Sequence, residues 1–298
     1  MGARWTNVGD CASIGANGDD VNCCGRMGGA MVVASRVIMR ILTAALALAF
    51  GAPAAVPPAR ADSELRVGTY LDNKPWQFRD GTGAVVGFEV DLVEAIGAQI
   101  GRKVVIHEMV FGEMFPALEE GRIDLAMSTI SIVAPRVGRF DFTQPYYETT
   151  QGVVVMRNSP IRSLGDLAGR TVSVIPQTTS DLWVTANKER LGIAAIRKAE
   201  GLDEGLAWLG EGSVDAHVGD IPALLYRLLG RSDLAVVARV PSDERYALML
   251  ARNSPLTEPI DAAITKMKRD GTLARIHQKW FGIPPEPDGP TAMVLPRP

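Results

Sequence analysis

The chain has 298 residues, 47% hydrophobic and 22% charged, with a formal net charge of −3, which allows one large or two modest globular domains and excludes a low-complexity chain. Without the first 61 residues the balance is 26 basic against 31 acidic residues, a net of −5, which argues against nucleic acid as a partner. All three cysteines, Cys11, Cys23 and Cys24, lie in those 61 residues, so the remainder uses neither disulfide nor thiol chemistry.

The segment before Met31 is rich in Gly, Asn and Asp and has no periodic apolar face, which suggests a true start at Met31 or Met39. Met31 to Ala61 reads as a secretory signal. Arg36 and Arg40 precede the apolar run "ILTAALALAFGAPAA", and "ARA" stands before Asp62, so cleavage is expected after Ala61. An uncleaved anchor is the plainer alternative, but Gly51, Pro53, Pro57 and Pro58 interrupt a run already short for a span. No cysteine follows to carry a lipid anchor.

"ELRVGTY" is strand-like, and "GAVVGFEV" follows a "DGTG" turn. In "DLVEAIGAQIG" the residues Val90, Val93, Ile96 and Ile100 fall at helical spacing until Gly101 stops the pattern. "KVVIHEMV" reads as a strand, "EMFPALEEGRID" as a short helix and "IDLAMST" as a strand again. "FDFTQPYYETTQGVVVM" runs through a turn into another strand, and helix, strand, helix recurs in "SLGDLAGRTVSVIPQTTSDLW" and in "LDEGLAWLGEGSVDAHVGDIPALLYRLL". Such alternation predicts an α/β fold with mixed, mainly parallel sheets flanked by helices and ligand sites at the carboxyl ends of strands.

The stretches "FPALEEGRIDLAMSTISI" and "GLAWLGEGSVDAHVGDIPA" share a layout, each running helix, glycine, acidic turn, strand and then polar residues. With 237 residues after Ala61, two lobes facing one cleft are the simplest outcome. From Pro284 onward six prolines in fifteen residues rule out a helix or central strand, and residues 284–298 are expected to be a disordered tail.

His107, His217 and His277 are scattered without metal-ligand spacing and read as surface or satisfied core groups. There is no P-loop, nucleophile elbow or dinucleotide fingerprint, so no metal, cofactor or catalytic residue is expected. What stands out is a set of binding groups. Ser128, Thr129 and Ser131 follow the "IDLAMST" strand, and Arg136 supplies a planar fork suited to a carboxylate. Thr178, Thr179 and Ser180 open a helix whose amino end favours an anion. Asp220 ends a strand and suits an ammonium group. A cation and an anion across a cleft would match a zwitterion. Singly, Arg136 could be a solvated arginine, Asp220 a helix cap and the hydroxyls turn residues.

The motifs "LRVGT" (65–69), "GFEVDLVEAIG" (87–97), "PALEEGRIDLAMSTISIVAPR" (116–136), "FDFTQPYY" (140–147) and "DGTLARIHQKWFG" (270–282), in that order, resemble the family 3 extracellular solute-binding proteins. These serve polar amino-acid ABC importers. The resemblance implies a two-lobe periplasmic binding protein fold of the venus-flytrap type, with residues 62–149 and 246–283 in lobe 1 and 150–245 in lobe 2. The crossing strands would lie near Glu148–Gln151 and Glu244–Ala247. It further implies an α-carboxylate site at Arg136 with Thr129, Ser131 and Thr179, an α-amino site at Asp220, another strand-end hydroxyl at Ser128, and ligand stacking on Phe111. One departure bears on the ligand: where binders of basic amino acids carry an acidic residue and then a tyrosine after the first strand, this chain has Tyr70 and Asn73, with Trp76 beyond. That argues against lysine, arginine or ornithine, unless Asp72 substitutes after a small loop shift. The partners implied are an amino acid and the membrane permease of an ABC importer, with the protein a periplasmic monomer. The rivals are a periplasmic dehydratase-like enzyme on the same scaffold, for which no general acid is placed by motif, and a sensor module, for which no segment after Gly282 is suited.

Overall fold

The computed structural model describes residues 63–298; the signal segment and its expected cleavage after Ala61 lie outside the described residues. Strand β1 (Glu64–Thr69) leads through a hairpin, β2 (Phe78–Arg79) and β3 (Val85–Val86), into helix α1 (Phe88–Ile100). Gly87 makes that junction possible, because at its φ of 145° a Cβ would lie 2.0 Å from the Trp76 carbonyl oxygen. Then follow β4 (Lys103–Glu108), α2 (Met114–Glu119), β5 (Leu125–Ala126), α3 (Ala134–Val137) and β6 (Phe140–Phe142).

The chain crosses over along β7 (Tyr147–Met156) and builds β8 (Thr171–Val174), α4 (Thr179–Leu191), β9 (Ala195–Lys198) and α5 (Leu202–Gly210). After β10 (Ala216–Asp220) and α6 (Ile221–Leu228) it returns along β11 (Leu234–Tyr246) to β12 (Met249–Ala251), α7 (Thr257–Arg269) and α8 (Thr272–Phe281). Lobe 1 carries the sheet β4-β1-β5-β12-β6 and lobe 2 the sheet β11-β7-β10-β8-β9.

These sheets are mixed, but parallel pairings do not dominate. β1 with β4 and β5, and β8 with β9 and β10, are parallel, whereas β12 with β5 and β6, and β7 with β10 and β11, are antiparallel. The cause lies in the crossings. β1, β5, β8 and β10 point their carboxyl ends at the cleft, so a strand entering a lobe from the cleft must run against them. β7 and β11 pair with each other across this passage, Tyr147 opposite Tyr246 and Thr149 opposite Glu244. The same returning strand holds the segment after β5, through Ile132 N–H to Arg245 O at 2.9 Å and Ala247 N–H to Ile130 O at 3.1 Å.

Each sheet is covered on both faces. In lobe 1, Leu65, Val67, Phe88, Leu92 and Ile96 pack with Ile264 and Leu273, and Met114, Phe115, Leu118 and Phe140 fill the other side. In lobe 2, Val172, Val174, Val184 and Val218 pack on one face and Leu202, Leu206 and Leu224 on the other.

Trp76, expected at the ligand, belongs to the first of these cores. It is fully buried, its ring edge-to-face with Phe88 at 5.5 Å, Tyr147 at 4.7 Å and Tyr246 at 5.5 Å. Backbone bonds account for this: Trp76 N–H donates to Asn73 O, and its own carbonyl accepts Glu89 N–H, which pulls the residue back onto the start of α1.

The expected disordered tail is also corrected. Thr291 is buried and donates to Tyr146 O at 2.8 Å, and the buried Lys268 ammonium donates to Gln144 Oε1 (2.8 Å), Pro145 O (2.7 Å) and Met293 O (2.9 Å). Prolines forbid a long helix there but allow a strap of turns, in which Gly289 N–H donates to Glu286 O and Met293 N–H to Gly289 O. Replacing Lys268 by Met is expected to speed amide exchange at Met293 and Leu295 and to lower stability by about 2 kcal/mol, since charge-assisted bonds are lost and buried acceptors left bare. Unchanged protection of the tail would contradict this role for Lys268.

Candidate functional site

The cleft between the lobes encloses a cavity of about 80 Å³, lined from lobe 1 by Tyr70, Asn73, Phe111, Thr129 and Arg136 and from lobe 2 by Thr179, His217 and Asp220, among others. Strained backbone surrounds it. Of the four non-glycine residues with positive φ among those described, Asp72 (144°) and Thr129 (49°) line the cavity and Gln177 (62°) supports it. The Thr129 conformation is held from below, where Glu89 Oε1 accepts the Thr129 N–H at 2.9 Å and the Tyr146 hydroxyl as well. Asn73 Nδ2 donates to Thr129 Oγ1 at 3.1 Å, and Gln77 Nε2 donates to Ser128 Oγ at 3.0 Å.

Arg136 is no solvated arginine. It is 6% exposed, whereas the side chain of nearby Arg139 is 59% exposed in a surface pair with Glu119. The Arg136 Nη1 donates to Ser131 O and its Nη2 to Gln177 O, both at 2.9 Å, so this one guanidinium joins the lobes. Phe111 and Phe115 lie 5.5 Å from it, in cation–π range. Phe111 therefore braces the arginine as well as lining the cavity. Burial lowers the Arg136 pKa to about 10, against the opposing pull of Glu244 and Asp220, and the group stays cationic at neutral pH.

Asp220 occupies the N-cap position of α6 but makes no capping bond. Its Oδ2 instead accepts the Tyr246 hydroxyl at 2.6 Å. Burial raises its carboxyl pKa, the Glu244 charge adds to that, and the Tyr246 bond and Arg136 act in the opposite sense. The helix-cap explanation is thereby set aside.

Glu244 was not singled out in the sequence. It stands 6% exposed on β11, and its Oε2 accepts both the Ser131 hydroxyl (2.7 Å) and the Thr179 hydroxyl (2.9 Å). Ser131 and Thr179, expected as ligand donors, thus direct their protons at one carboxylate on the crossing strand. Gln151 Nε2 donates to Thr179 Oγ1 at 2.6 Å from the partner strand β7. No local motif marks Glu244, because only the pairing of β7 with β11 brings it to the cleft. At the rim, Arg227 of α6 bonds Asp72 of lobe 1 and lies 3.1 Å from Asp203. Tyr70 reaches over to Gly201, where a Cβ would lie 2.1 Å from its hydroxyl.

His217, expected to be a surface or satisfied core group, lines the cavity, whereas Trp76 does not. The remaining predicted residues, Ser128, Thr129, Ser131, Thr179, Phe111, Asn73, Arg136 and Asp220, all meet there.

Comparison with known proteins identifies the family and the fold. The sequence profile of the bacterial extracellular solute-binding proteins, family 3, matches residues 65–283. The amino-acid-binding protein AabA of Dichelobacter nodosus is 31% identical over 227 residues, covering 71% of this chain and 85% of that protein. Among solved structures, an ancestral arginine-binding protein bound to arginine superposes with a TM-score of 0.70 at 36% identity, over 74% of this chain and 99% of that one. The same kind of ancestral protein bound to glutamine gives 0.70 at 35% identity, again over 74% and 99%.

The buried Glu89 gives the site a measurable pH signature. Burial raises its pKa from the usual 4.5 to about 7, with the Tyr146 and Thr129 bonds opposing. Between those two values the native state holds a proton that the unfolded chain has released, so the group lowers stability as pH rises through that window. Glu89→Gln keeps the acceptor for Thr129 and Tyr146 and should gain on the wild-type chain by up to about 2–3 kcal/mol in denaturant melts between pH 4.5 and 7.5. A stability gap that stays constant over that range would contradict the assignment.

Proposed function

The chain belongs to the bacterial extracellular solute-binding proteins, family 3, and from that premise we propose that Arg136 and Asp220 are the two ends of a clamp for the zwitterionic head of one amino acid. The observation that carries this reading is their placement: an embedded cation from lobe 1 and a half-buried carboxylate from lobe 2 face one small cavity and act on each other's ionisation. The guanidinium takes the α-carboxylate as a fork, with Thr129 and the amino end of α4 adding donors. Asp220 takes the α-ammonium. Lobe closure excludes water and strengthens both bonds, and the closed form is delivered to the permease of an ABC importer.

Export through the signal segment before Asp62 and action as a monomer belong to the same proposal. Relatives that match are named as amino-acid-binding proteins, which supports capture rather than the dehydratase-like alternative. The side chain of the ligand is left open by the relatives, since closely similar ancestral proteins were solved with arginine and with glutamine.

Arg136→Ala and Asp220→Asn should each weaken amino-acid binding in calorimetry by about 2–5 kcal/mol while the protein stays folded, because each leaves a buried charge unpaired. The pH dependence carries the sign of Asp220. Its carboxyl pKa is raised in the free protein, and an ammonium ligand requires the ionised form, so binding releases protons and affinity falls as pH is lowered. Titrations in buffers of different ionisation enthalpy should show that release in the wild type and lose it in Asp220→Asn. Unaltered affinity in both variants would remove the clamp.

A further inference from the structure

One polar atom on the cavity wall, His217 Nε2, is used neither by the clamp nor by the fold. His217, on β10, is fully buried and lines the cavity. Its strand neighbours Ala216 and Val218 belong to the core under α4, so His217 projects from the opposite face, toward α5 and α6. The cavity's apolar lining from this lobe includes Ile175, Leu202, Ala223 and Leu224, with the exposed Glu200 beside them. The Nε2 atom has no hydrogen-bond partner.

Space for the ring is made by glycine. Gly205 lies within α5, and a Cβ there would sit 2.4 Å from His217 Nδ1, while one at Gly219 would come within 3.4 Å of Nε2. A glycine inside a helix costs stability, and at Gly205 the cost has an identifiable return in the imidazole it admits.

The other nitrogen sets the tautomer. Ser173, the register partner of His217 on β8, has its Oγ 2.9 Å from Nδ1 and 3.4 Å from Ala216 O. Both contacts are hydrogen bonds only when Nδ1–H donates to Ser173 and the serine hydroxyl donates to Ala216. Nε2 is then a bare acceptor. Burial lowers the ring pKa to about 4, so it remains neutral at physiological pH and keeps that acceptor.

We propose that His217 is a specificity-determining residue whose Nε2 accepts a hydrogen bond from an uncharged donor on the ligand side chain, so that the preferred ligand is a polar, uncharged amino acid with a carboxamide-type N–H. This rests on the clamp reading, because the clamp fixes the α-groups and aims the side chain at the remaining wall. Of the two other carboxylates on the cavity wall, Asp72 is already paired with Arg227 and Glu200 is solvent-exposed, so a cationic side chain laid against the neutral imidazole and aliphatic carbons gains little counter-charge for its desolvation. A carboxylate would meet no proton there. A donor, in contrast, satisfies the vacant Nε2, and a site built for such a donor strongly rejects isosteres that lack it.

The test is calorimetry on the full secreted chain with glutamine, methionine, glutamate and arginine, using wild type, His217→Phe and His217→Gln. Glutamine should bind wild type roughly ten- to a hundredfold more tightly than methionine, which matches its length without its donor. In His217→Phe that preference should collapse to within about threefold, and His217→Gln, whose amide oxygen can accept, should recover part of it. Imidazole nitrogen NMR on the wild type provides a second readout that needs no variant: Nδ1 should be the protonated nitrogen, and the Nε2 resonance should move on adding glutamine. An unchanged glutamine preference in His217→Phe, an equal loss for all four ligands, or a protonated Nε2 overturns the proposal. Tightest wild-type binding of arginine or glutamate overturns it while leaving the clamp intact, and failure of all four to bind removes both.

Discussion

The cleft is organised around one interaction, a buried guanidinium that must be compensated. Moving the Arg136 charge out of water costs several kcal/mol unless charges and acceptors surround it, and the cleft is arranged to supply them. Two carbonyls, one from each lobe, take its donors, two phenylalanines face it, and two carboxylates, Asp220 and Glu244, oppose its loss of charge. Those carboxylates are in turn partly buried beside each other, which is unfavourable without a cation. On the proposed reading, a zwitterion would add one carboxylate to the guanidinium and one ammonium to Asp220, relieving both imbalances together. Ligand capture is in this sense the completion of an electrostatic arrangement the fold has begun.

The crossing strands carry more than connectivity. Glu244 and Tyr246 lie on β11, and each touches a clamp element: Glu244 gathers hydroxyls from both lobes, and Tyr246 holds Asp220. Arg245 and Ala247 meanwhile fix the backbone of the segment from Ile130 to Ile132, next to Ser131. Any rotation of one lobe against the other therefore acts directly on the residues proposed to meet the ligand. A hinge built from paired strands permits such a rotation while keeping its axis fixed.

Much of this was legible before any coordinates. Alternating strands and helices gave the α/β class, and the hydroxyl-rich stretch, Arg136, Thr179 and Asp220 could be proposed as a group because each follows a strand end or opens a helix. The residues that sequence reading misplaced share a cause, namely that their positions depend on non-local packing. Trp76 follows the first strand as a ligand-contacting residue might, yet its backbone bonds to Asn73 and Glu89 turn it into the core. Glu244 looks like an ordinary charge on a strand until β7 and β11 pair. His217 sits mid-strand, and only its face of the sheet, with Gly205 opposite, reveals that it reaches the cavity. The tail prolines correctly excluded helix but said nothing of the Lys268 ammonium waiting for a carbonyl.

The measurement that bears most directly on the account is a calorimetric comparison of glutamine with two analogues, its decarboxylated amine and its deaminated acid. If Arg136 and Asp220 grip the two α-groups, either deletion should weaken binding by a factor of roughly thirty or more, as expected for one unpaired member of a buried charge pair. Equal affinity for either analogue would show that the cavity does not read the zwitterion and would contradict the account at its centre.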